Sequence, residues 1–436
     1  MPERSGSRKQ ARIGRRTYIA GAGAAALTGL SGCLGNGEGD DTEGSGGDDT
    51  SGGTTTGEAG GGSSYKIGVI TARSGSYSFL GEGELQGAKL AQKDLADEHG
   101  VDVEIVTADT ETDPNTGLER MKRLVNEEEV DAVLGGVSSS VAIKMGNWAS
   151  DNGVAYMAAG SHSDQTTGGK CAANMFRPTC SNSMLANALG SQMADYADSW
   201  YVMYADYTWG QTGRDAIKKS VKAQGGEITG EIGTPFPSQD YTQYLNEAAN
   251  SGAEGLAVVI AGTDQRIVTE QFNDAGIDMK MAGPLFEESV FWGVGKEATS
   301  NVGVWAAPWA ASSPSTEKGE AFKQRIADEF DASPFSRHYM GYTSMEQLVL
   351  AAERAGSTEG AEISAALEGH ELEAPIKDGD VYWREGDHQL IQPVDTVEAL
   401  PQDEMQDDPY KSWFKHTSTS AGDDVARSVA DTGCSL

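Results

Sequence analysis

From residue 65 onward, short apolar segments alternate with longer amphipathic segments, and this alternation limits the possible fold more than any other feature of the chain. Residues 66–70 have the pattern of a buried strand and residues 83–98 that of a helix, and 101–108 and 114–128 repeat this pair. Strands that alternate with helices of about 10–15 residues predict parallel sheets with right-handed crossovers. We therefore expect an α/β fold built from doubly wound parallel sheets.

The alternation runs through two successive series, which predict two α/β lobes in tandem. The first series continues with a strand at 131–134, a helix at 141–152 and a strand at 154–158. The second predicts strands at 200–204, 227–232, 255–260 and 280–282 and helices at 212–224, 240–251 and 264–275. One more helix is expected within 334–356, and the pattern weakens from residue 395 onward.

The N-terminus has the features of an export signal. Arg15 and Arg16 precede an uncharged run at 19–30, which has the length of a signal-peptide apolar region and is too short to cross a bilayer. This arrangement resembles a twin-arginine export signal, and residues 30–33 resemble a lipobox that ends at Cys33. We predict that residues 1–33 are the signal and that Cys33 carries the lipid; the alternative is a chance cysteine after an Ala-rich helix.

Residues 34–64 consist almost entirely of Gly, Ser, Thr, Asp and Glu. Such a segment buries too little apolar surface to offset its ordering entropy, so we predict a flexible, disordered acidic tether. Lipid, tether and folded body together predict a lipoprotein at the cell surface, on the outer face of the cytoplasmic membrane. We expect the lipid anchor to be its only contact with the membrane.

The chain carries 66 acidic and 33 basic residues, a formal net charge of −33. The leader holds six of the bases and one acid, so residues 34–436 have 27 bases, 65 acids and a net charge of −38. Binding to nucleic acid requires a basic face, so the charge disfavours this class of function and we expect no nucleic-acid partner. The acidity together with the export signal resembles the secreted proteins of extremely halophilic archaea.

Loops rich in small hydroxyls and aromatic residues follow the predicted strands, where open parallel sheets bind ligands. They include Gly-Gly-Val-Ser-Ser-Ser at 135–140 and Asp-Tyr-Thr-Trp-Gly at 206–210. Small hydroxyls beside the start of a helix suit a carboxylate, because free backbone N–H groups and the helix dipole point there. Tyr and Trp rings suit closure over a small molecule.

These loops, their order and the segment Trp-Arg-Glu-Gly-Asp-His-Gln-Leu-Ile-Gln-Pro at 383–393 resemble the leucine/isoleucine/valine-binding protein family, type I periplasmic solute-binding proteins of ABC transporters. The resemblance covers nearly all of residues 65–395. It implies two lobes joined by a three-crossover hinge, with lobe 1 at 65–183 plus 309–372 and lobe 2 at 184–308 plus 373–436. It also implies a monomeric, cofactor-free receptor that delivers a small molecule to a permease and its ATPase.

The resemblance implies a set of ligand contacts when its motifs are carried onto this chain. Ser138 and Ser139 would hold a ligand carboxylate, and Trp209 would close over the ligand. The family places an acid after Gly-Pro to hold an α-ammonium, but in this chain two residues intervene before Glu287. The full set is Ser138, Ser139, Gly160, Ser161, His162, Tyr207, Trp209, Thr263 and Glu287.

A branched-chain or related amino acid is the implied ligand, and the displaced acid keeps urea, short-chain amides and small carboxylates as alternatives. The predicted contact residues can also have purely structural roles. The serines at 138–140 can cap a helix, and Glu287 can be a first-turn helix acid. Tyr207 and Trp209 can pack on a lobe surface, and His162 can be a satisfied loop histidine.

Three cysteines remain once Cys33 carries a lipid. A Cys171–Cys434 disulfide would tie the C-terminal tail to lobe 1, whereas Cys171–Cys180 would close a small loop. We favour the first pairing, because an otherwise weakly held tail gains more from a crosslink. No Cys-x-x-Cys pair occurs, so no metal site is expected.

The sequence lacks the Gly-x-Ser-x-Gly, His-Glu-x-x-His and Gly-x-x-x-x-Gly-Lys-Ser/Thr motifs. We therefore predict a binding protein rather than an enzyme, with a surface-anchored hydrolase as the weaker alternative. A ligand-sensing receptor lobe shares the fold, but it would need a transmembrane helix or a signalling domain, and we expect neither.

Overall fold

The computed structural model describes residues 63–373 and 375–436. The predicted signal, Cys33 and the tether up to residue 62 lie outside the described residues. Within the described ranges, no helix is long and apolar enough to cross a membrane.

The described part of the chain alternates strands and helices as far as β10 and then becomes less regular. The strands are β1 (Ser64–Thr71), β2 (Asp102–Asp109), β3 (Ala132–Gly135), β4 (Ala155–Ala158), β5 (Met175–Phe176), β6 (Ser199–Ala205), β7 (Glu227–Thr234), β8 (Gly255–Val259), β9 (Lys280–Ala282), β10 (Val304–Ala307), β11 (Tyr382–Arg384), β12 (Gln389–Ile391), β13 (Val394–Ala399) and β14 (Phe414–Ser420). The helices are α1 (Ser78–His99), α2 (Pro114–Asn126), α3 (Ser139–Asp151), α4 (Asn182–Tyr196), α5 (Thr208–Ala223), α6 (Thr242–Ala249), α7 (Gly262–Asp274), α8 (Glu288–Val294), α9 (Lys296–Ser300), α10 (Glu317–Phe330), α11 (Ser336–Ala355), α12 (Gly360–Leu367), α13 (Gly422–Val425) and α14 (Val429–Thr432).

The first sheet has the strand order β2-β1-β3-β4-β5, and all of its ladders are parallel. Helices cover both faces of such a sheet, so its strands are apolar on both sides: Ile67, Val69 and Ile70 of β1 are at most 1% exposed. A parallel bridge between Arg177 and Gln389 adds the β11–β12 hairpin beside β5.

The second sheet has the parallel order β7-β6-β8-β9. A bridge between Gly283 and Trp305 continues it into the antiparallel strands β10, β13 and β14. The two sheets are the cores of the two lobes.

Within the described residues, the chain crosses between the lobes three times: between β5 and α4, between β10 and α10, and between β12 and β13. The lobe boundaries inferred from the sequence stay a prediction. However, Trp383 and Leu390 of the β11–β12 hairpin belong to the same apolar core as β1. This packing favours a boundary near residue 392 rather than at 372/373.

Helix α4 has no counterpart among the predicted elements. Its buried residues include the polar Asn182 and Ser183, so the contrast between an apolar and a polar face is weak in its sequence. The helix within 334–356 was predicted and corresponds to α11.

Helices α1 and α11 pack unusually close together in lobe 1, and glycine makes the approach possible. A Cβ atom at Gly341 would lie 1.9 Å from the carbonyl oxygen of Glu84, and one at Gly87 would lie 2.0 Å from that of His338. Both positions therefore require glycine. The close packing brings Glu84 of α1 beside Arg337 of α11.

Candidate functional site

A small cavity of about 10 Å³, room for roughly one water molecule, lies where the two lobes face each other. All but one of its lining residues follow the carboxyl ends of parallel strands, namely β1, β3 and β4 in lobe 1 and β6, β8 and β9 in lobe 2. Both lobes therefore present the edge at which parallel sheets bind ligands. The lining residues are Tyr77, Val137, Gly160, His162, Tyr207, Trp209, Ala261, Leu285 and Arg337.

A buried triad of Glu84, Arg337 and Glu287 adjoins this cavity. Arg337 donates from Nη1 to Glu84 Oε1 at 3.0 Å and to the carbonyl oxygen of Gly160 at 3.1 Å, and from Nε to Glu287 Oε1. Thr71 donates to Glu84 Oε2 at 2.7 Å. Glu287 precedes α8 in lobe 2, so the triad is an ion-pair network that joins the lobes.

The triad pairs one cation with two carboxylates, and each of its side chains is at most 2% exposed. Burial raises the pKa of Glu84 and of Glu287, although the attraction of Arg337 opposes both shifts. Burial alone would lower the pKa of Arg337, but Glu287 and Glu84 raise it above its ordinary value. The guanidinium is therefore charged, and it is shared between two buried carboxyl groups.

His162 presents a hydrogen-bond acceptor to the cavity. Its Nδ1 lies 2.8 Å from the carbonyl oxygen of Cys180, which can only accept, so Nδ1 carries the proton. Burial and then the nearby charge of Arg337 hold the pKa of His162 well below its ordinary value, so the ring is neutral. Nε2 is buried and has no hydrogen-bond partner among the described residues, which leaves its lone pair for a ligand.

Aromatic side chains from both lobes meet beside the cavity. The hydroxyl oxygens of Tyr77 and Tyr207 are 2.6 Å apart, and the ring of Phe236 packs against both tyrosine rings at 4.9 and 5.1 Å. Burial raises the pKa of both tyrosines, so their hydroxyls keep their protons. Trp209 Nε1 is buried and finds no acceptor within the described ranges.

Four of the nine predicted contact residues line the cavity: Gly160, His162, Tyr207 and Trp209. Glu287 lies just behind its wall, where Arg337 binds Oε1, while Oε2 is buried without a partner in the described part of the chain. All nine assignments as ligand contacts stay predictions.

The other four predicted residues have different surroundings. Ser139 Oγ accepts a hydrogen bond from the backbone N–H of Ser163 at 3.2 Å, and Ser161 Oγ lies 2.6 Å from Thr166 Oγ1. Thr263 donates to the carbonyl oxygen of Ser76 at 3.2 Å, a contact between the lobes. Ser138 is the N-cap residue of α3, but its side chain makes no capping hydrogen bond.

Other lining residues were not predicted as contacts. Tyr77 and Leu285 lie in loops that follow strands, and the position of these loops in the sequence could have identified both residues. Glu84 and Arg337 lie on helices and are 253 residues apart in the chain. No local motif marks either of them.

The structure joins Cys171 to Cys434 by a disulfide bond, and the buried Cys180 has no disulfide partner among the described residues. Burial raises the pKa of the Cys180 thiol to about 11. No cluster of three or more potential metal ligands occurs among the described residues.

The family model described as periplasmic binding protein matches residues 64–404. Among curated proteins, Leu/Ile/Val-binding protein homolog 8 of Brucella abortus is 25% identical over 225 residues, which are 48% of this chain and 55% of that protein. The chain thus spans little more than half the length of the curated relatives it matches.

Solved structures share the fold along most of the chain. A periplasmic binding protein from Burkholderia mallei superposes with a TM-score of 0.78 at 25% identity, covering 86% of this chain and 99% of that one. A solute-binding protein of an ABC transporter from R. palustris, in complex with benzoate, superposes with a TM-score of 0.72 at 21% identity, covering 86% and 100%. These similarities confirm the predicted two-lobed α/β fold.

Proposed function

The chain belongs to the periplasmic binding protein family, and from this premise we propose that it is the extracytoplasmic solute-binding protein of an ABC importer. It captures a small polar ligand between its lobes and delivers that ligand to a permease and its ATPase. Twin-arginine export and a lipid on Cys33 would hold it, as a monomer, on the outer face of the cytoplasmic membrane. The proposed activity is binding and transport, without catalysis.

The observation that carries this proposal is the cavity built from both lobes. His162 Nε2, Trp209 Nε1 and Glu287 Oε2 are buried polar atoms without hydrogen-bond partners among the described residues, and they come from both sides. Leaving a buried polar group unpaired costs about 1–3 kcal/mol, so a ligand that satisfies several of them gains affinity. Because the groups lie on different lobes, such a ligand stabilises the closed arrangement over an open one.

The charges around the cavity support a branched-chain or related amino acid as the ligand. The triad has two carboxyl groups for one guanidinium, and Glu287 Oε2, which has no partner among the described residues, suits an ammonium group. Val137 lines the cavity immediately before α3, whose first-turn N–H groups and dipole suit a carboxylate. Val137 and Leu285 would meet an aliphatic side chain. One curated relative is named as a Leu/Ile/Val-binding protein homolog.

A small carboxylate is the second candidate ligand. The rings of Tyr77, Tyr207 and Trp209 give the cavity an aromatic wall that suits a flat ligand, and the R. palustris neighbour was solved with benzoate. Urea and short-chain amides, the remaining alternatives, would use the free donor and acceptor but have neither an ammonium group for the triad nor a ring for the aromatic wall.

Titration calorimetry of the folded body in high salt tests the proposal, with leucine, isoleucine, valine, benzoate, urea and acetamide as titrants. We expect saturable binding of at least one branched-chain amino acid. Binding of benzoate alone would replace the first ligand class by the second, and binding of urea or acetamide alone would favour the amide alternative. Turnover of any titrant, followed by chromatography, would favour the hydrolase.

A variant pair locates the binding site. H162F keeps a ring of similar size but removes the acceptor, and we expect affinity for the titrant that binds to fall about 2- to 12-fold, the equivalent of one hydrogen bond. H416F is the matched control, because His416 lies on β14 and outside the cavity lining. Equal affinities of H162F and H416F would remove His162 from the site.

A further inference from the structure

Each of the three crossovers between the lobes has a proline within two residues of a strand end, namely Pro178, Pro308 and Pro393, and the second crossover also contains Pro314. A proline has no N–H group, and its ring fixes φ, so each crossover is locally stiff. The proline carbonyl oxygens still require partners, because buried backbone acceptors are rarely left unpaired. Two buried side chains supply these partners, one of them to two crossovers at once.

Lys377 binds the second and third crossovers. Its Nζ donates to the carbonyl oxygens of both Pro308 and Pro393, and the carboxylate of Asp395 lies 3.9 Å away. The residue is 1% exposed, although lysine is among the residue types that are almost never fully buried unless paired. A buried ammonium is stable only where fixed acceptors replace its hydration, and here those acceptors belong to the crossovers.

Gln392, which lies in the third crossover, links it to the first. It lies beside Pro393, is fully buried, and donates from Nε2 to the carbonyl oxygen of Pro178 at 2.7 Å. Tyr339 of α11 donates to its Oε1 at 2.7 Å, which fixes the orientation of the amide. The sequence separation between Gln392 and Pro178 is 214 residues, so the contact is purely tertiary.

We propose that Lys377 and Gln392 are positioning residues that gather the three crossovers into one hinge and thereby define the axis about which the lobes rotate. A movement of the lobes other than rotation about this axis would pull the proline carbonyl oxygens away from the buried ammonium of Lys377 and the buried amide of Gln392. The two side chains thus keep the halves of the cavity in register while allowing rotation. The proposal requires that the lobes move, but it does not depend on the identity of the ligand.

The test measures the distance between the lobes in the full chain without added ligand. Spin labels at E119C on α2 and K219C on α5, both exposed, would report it by pulsed electron resonance in a background that carries C33S and C180A. We expect K377M to broaden the distance distribution at least twofold relative to the parent. K222M, which removes an exposed lysine from α5, is the matched control and should leave the width unchanged.

A gentler variant keeps the test decisive if K377M does not fold. Y339F removes only the hydroxyl that orients Gln392 and leaves the ring in place, and we expect a smaller broadening in the same direction. A parental width in folded K377M, or in Y339F where K377M fails to fold, would overturn the proposal. Failure of every calorimetric titrant would contradict the proposed function but would leave these distances unaffected, so the two failures are distinguishable.

Discussion

Replacement of Arg337 by methionine tests how the buried triad contributes to stability. Met keeps most of the side-chain volume but removes the cation, which leaves Glu84 and Glu287, both fully buried, without their shared partner. Breaking a buried ion pair by removing one member costs about 3–5 kcal/mol, because an uncompensated charge remains in a low-dielectric interior. R123M is the control: Arg123 is 56% exposed beside Glu127 and Glu128, and such surface pairs contribute about 0–1 kcal/mol.

The pH dependence of R337M gives an independent check. Without the guanidinium, the attraction that opposes the upward pKa shift of Glu84 and Glu287 is lost, so their folded-state pKa values rise further. A carboxyl whose pKa is higher in the folded state than in the unfolded chain stabilises the fold in its protonated form, and this stability is lost as the pH rises through the folded value. The deficit of R337M should therefore be larger at pH 8 than at pH 5.

The free energy of unfolding, measured in urea at constant high salt, gives both the stability loss of R337M and its dependence on pH. R337M should lose several times more free energy than R123M at pH 8, and the difference should shrink towards pH 5. Equal losses in the two variants, or an R337M deficit independent of pH, would refute the view that Arg337 neutralises buried carboxylates.

Three further predictions follow from packing, crosslinking and charge. G341A places a Cβ atom 1.9 Å from the carbonyl oxygen of Glu84, so it should force α1 and α11 apart and lower the free energy of unfolding by about 1–3 kcal/mol; an unchanged urea midpoint would contradict the close approach. C434S opens a crosslink that spans 263 residues and should cost about 2–5 kcal/mol, with faster proteolysis of the C-terminal segment; equal digestion rates of the variant and the parent would argue against this role. A net charge of −33 should make the melting temperature rise with salt, because screening weakens self-repulsion, and a melting temperature equal in dilute buffer and in molar KCl would rule this out.

Elements with a strong local pattern were predicted well from the sequence. The strand expected at 200–204 is Ser199–Ala205, and the one expected at 227–232 begins at Glu227. The periodicity of apolar residues records how each short segment is buried, whatever it is buried against. Helix α4 was missed because its buried face mixes polar and apolar residues, which weakens the periodicity.

The strand-end loops were also located from the sequence, because a strand that ends in a parallel sheet places its next loop at the binding edge. This rule identified the loops that carry Gly160, His162, Tyr207 and Trp209. It could not choose among the residues of a loop, since the direction of each side chain depends on what packs around it.

Sequence alone thus determined the class of fold, the acidic surface and the edge of the sheets at which a ligand would bind. Tertiary structure decided which distant side chains meet: Arg337 with Glu84 and Glu287, Gln392 with Pro178, and the β11–β12 hairpin with the first sheet. Each of these contacts forms only after the chain has crossed between the lobes, and the pattern of a single segment carries no record of its partner. A buried charge needs an opposite charge somewhere, but only the folded chain determines which residue supplies it.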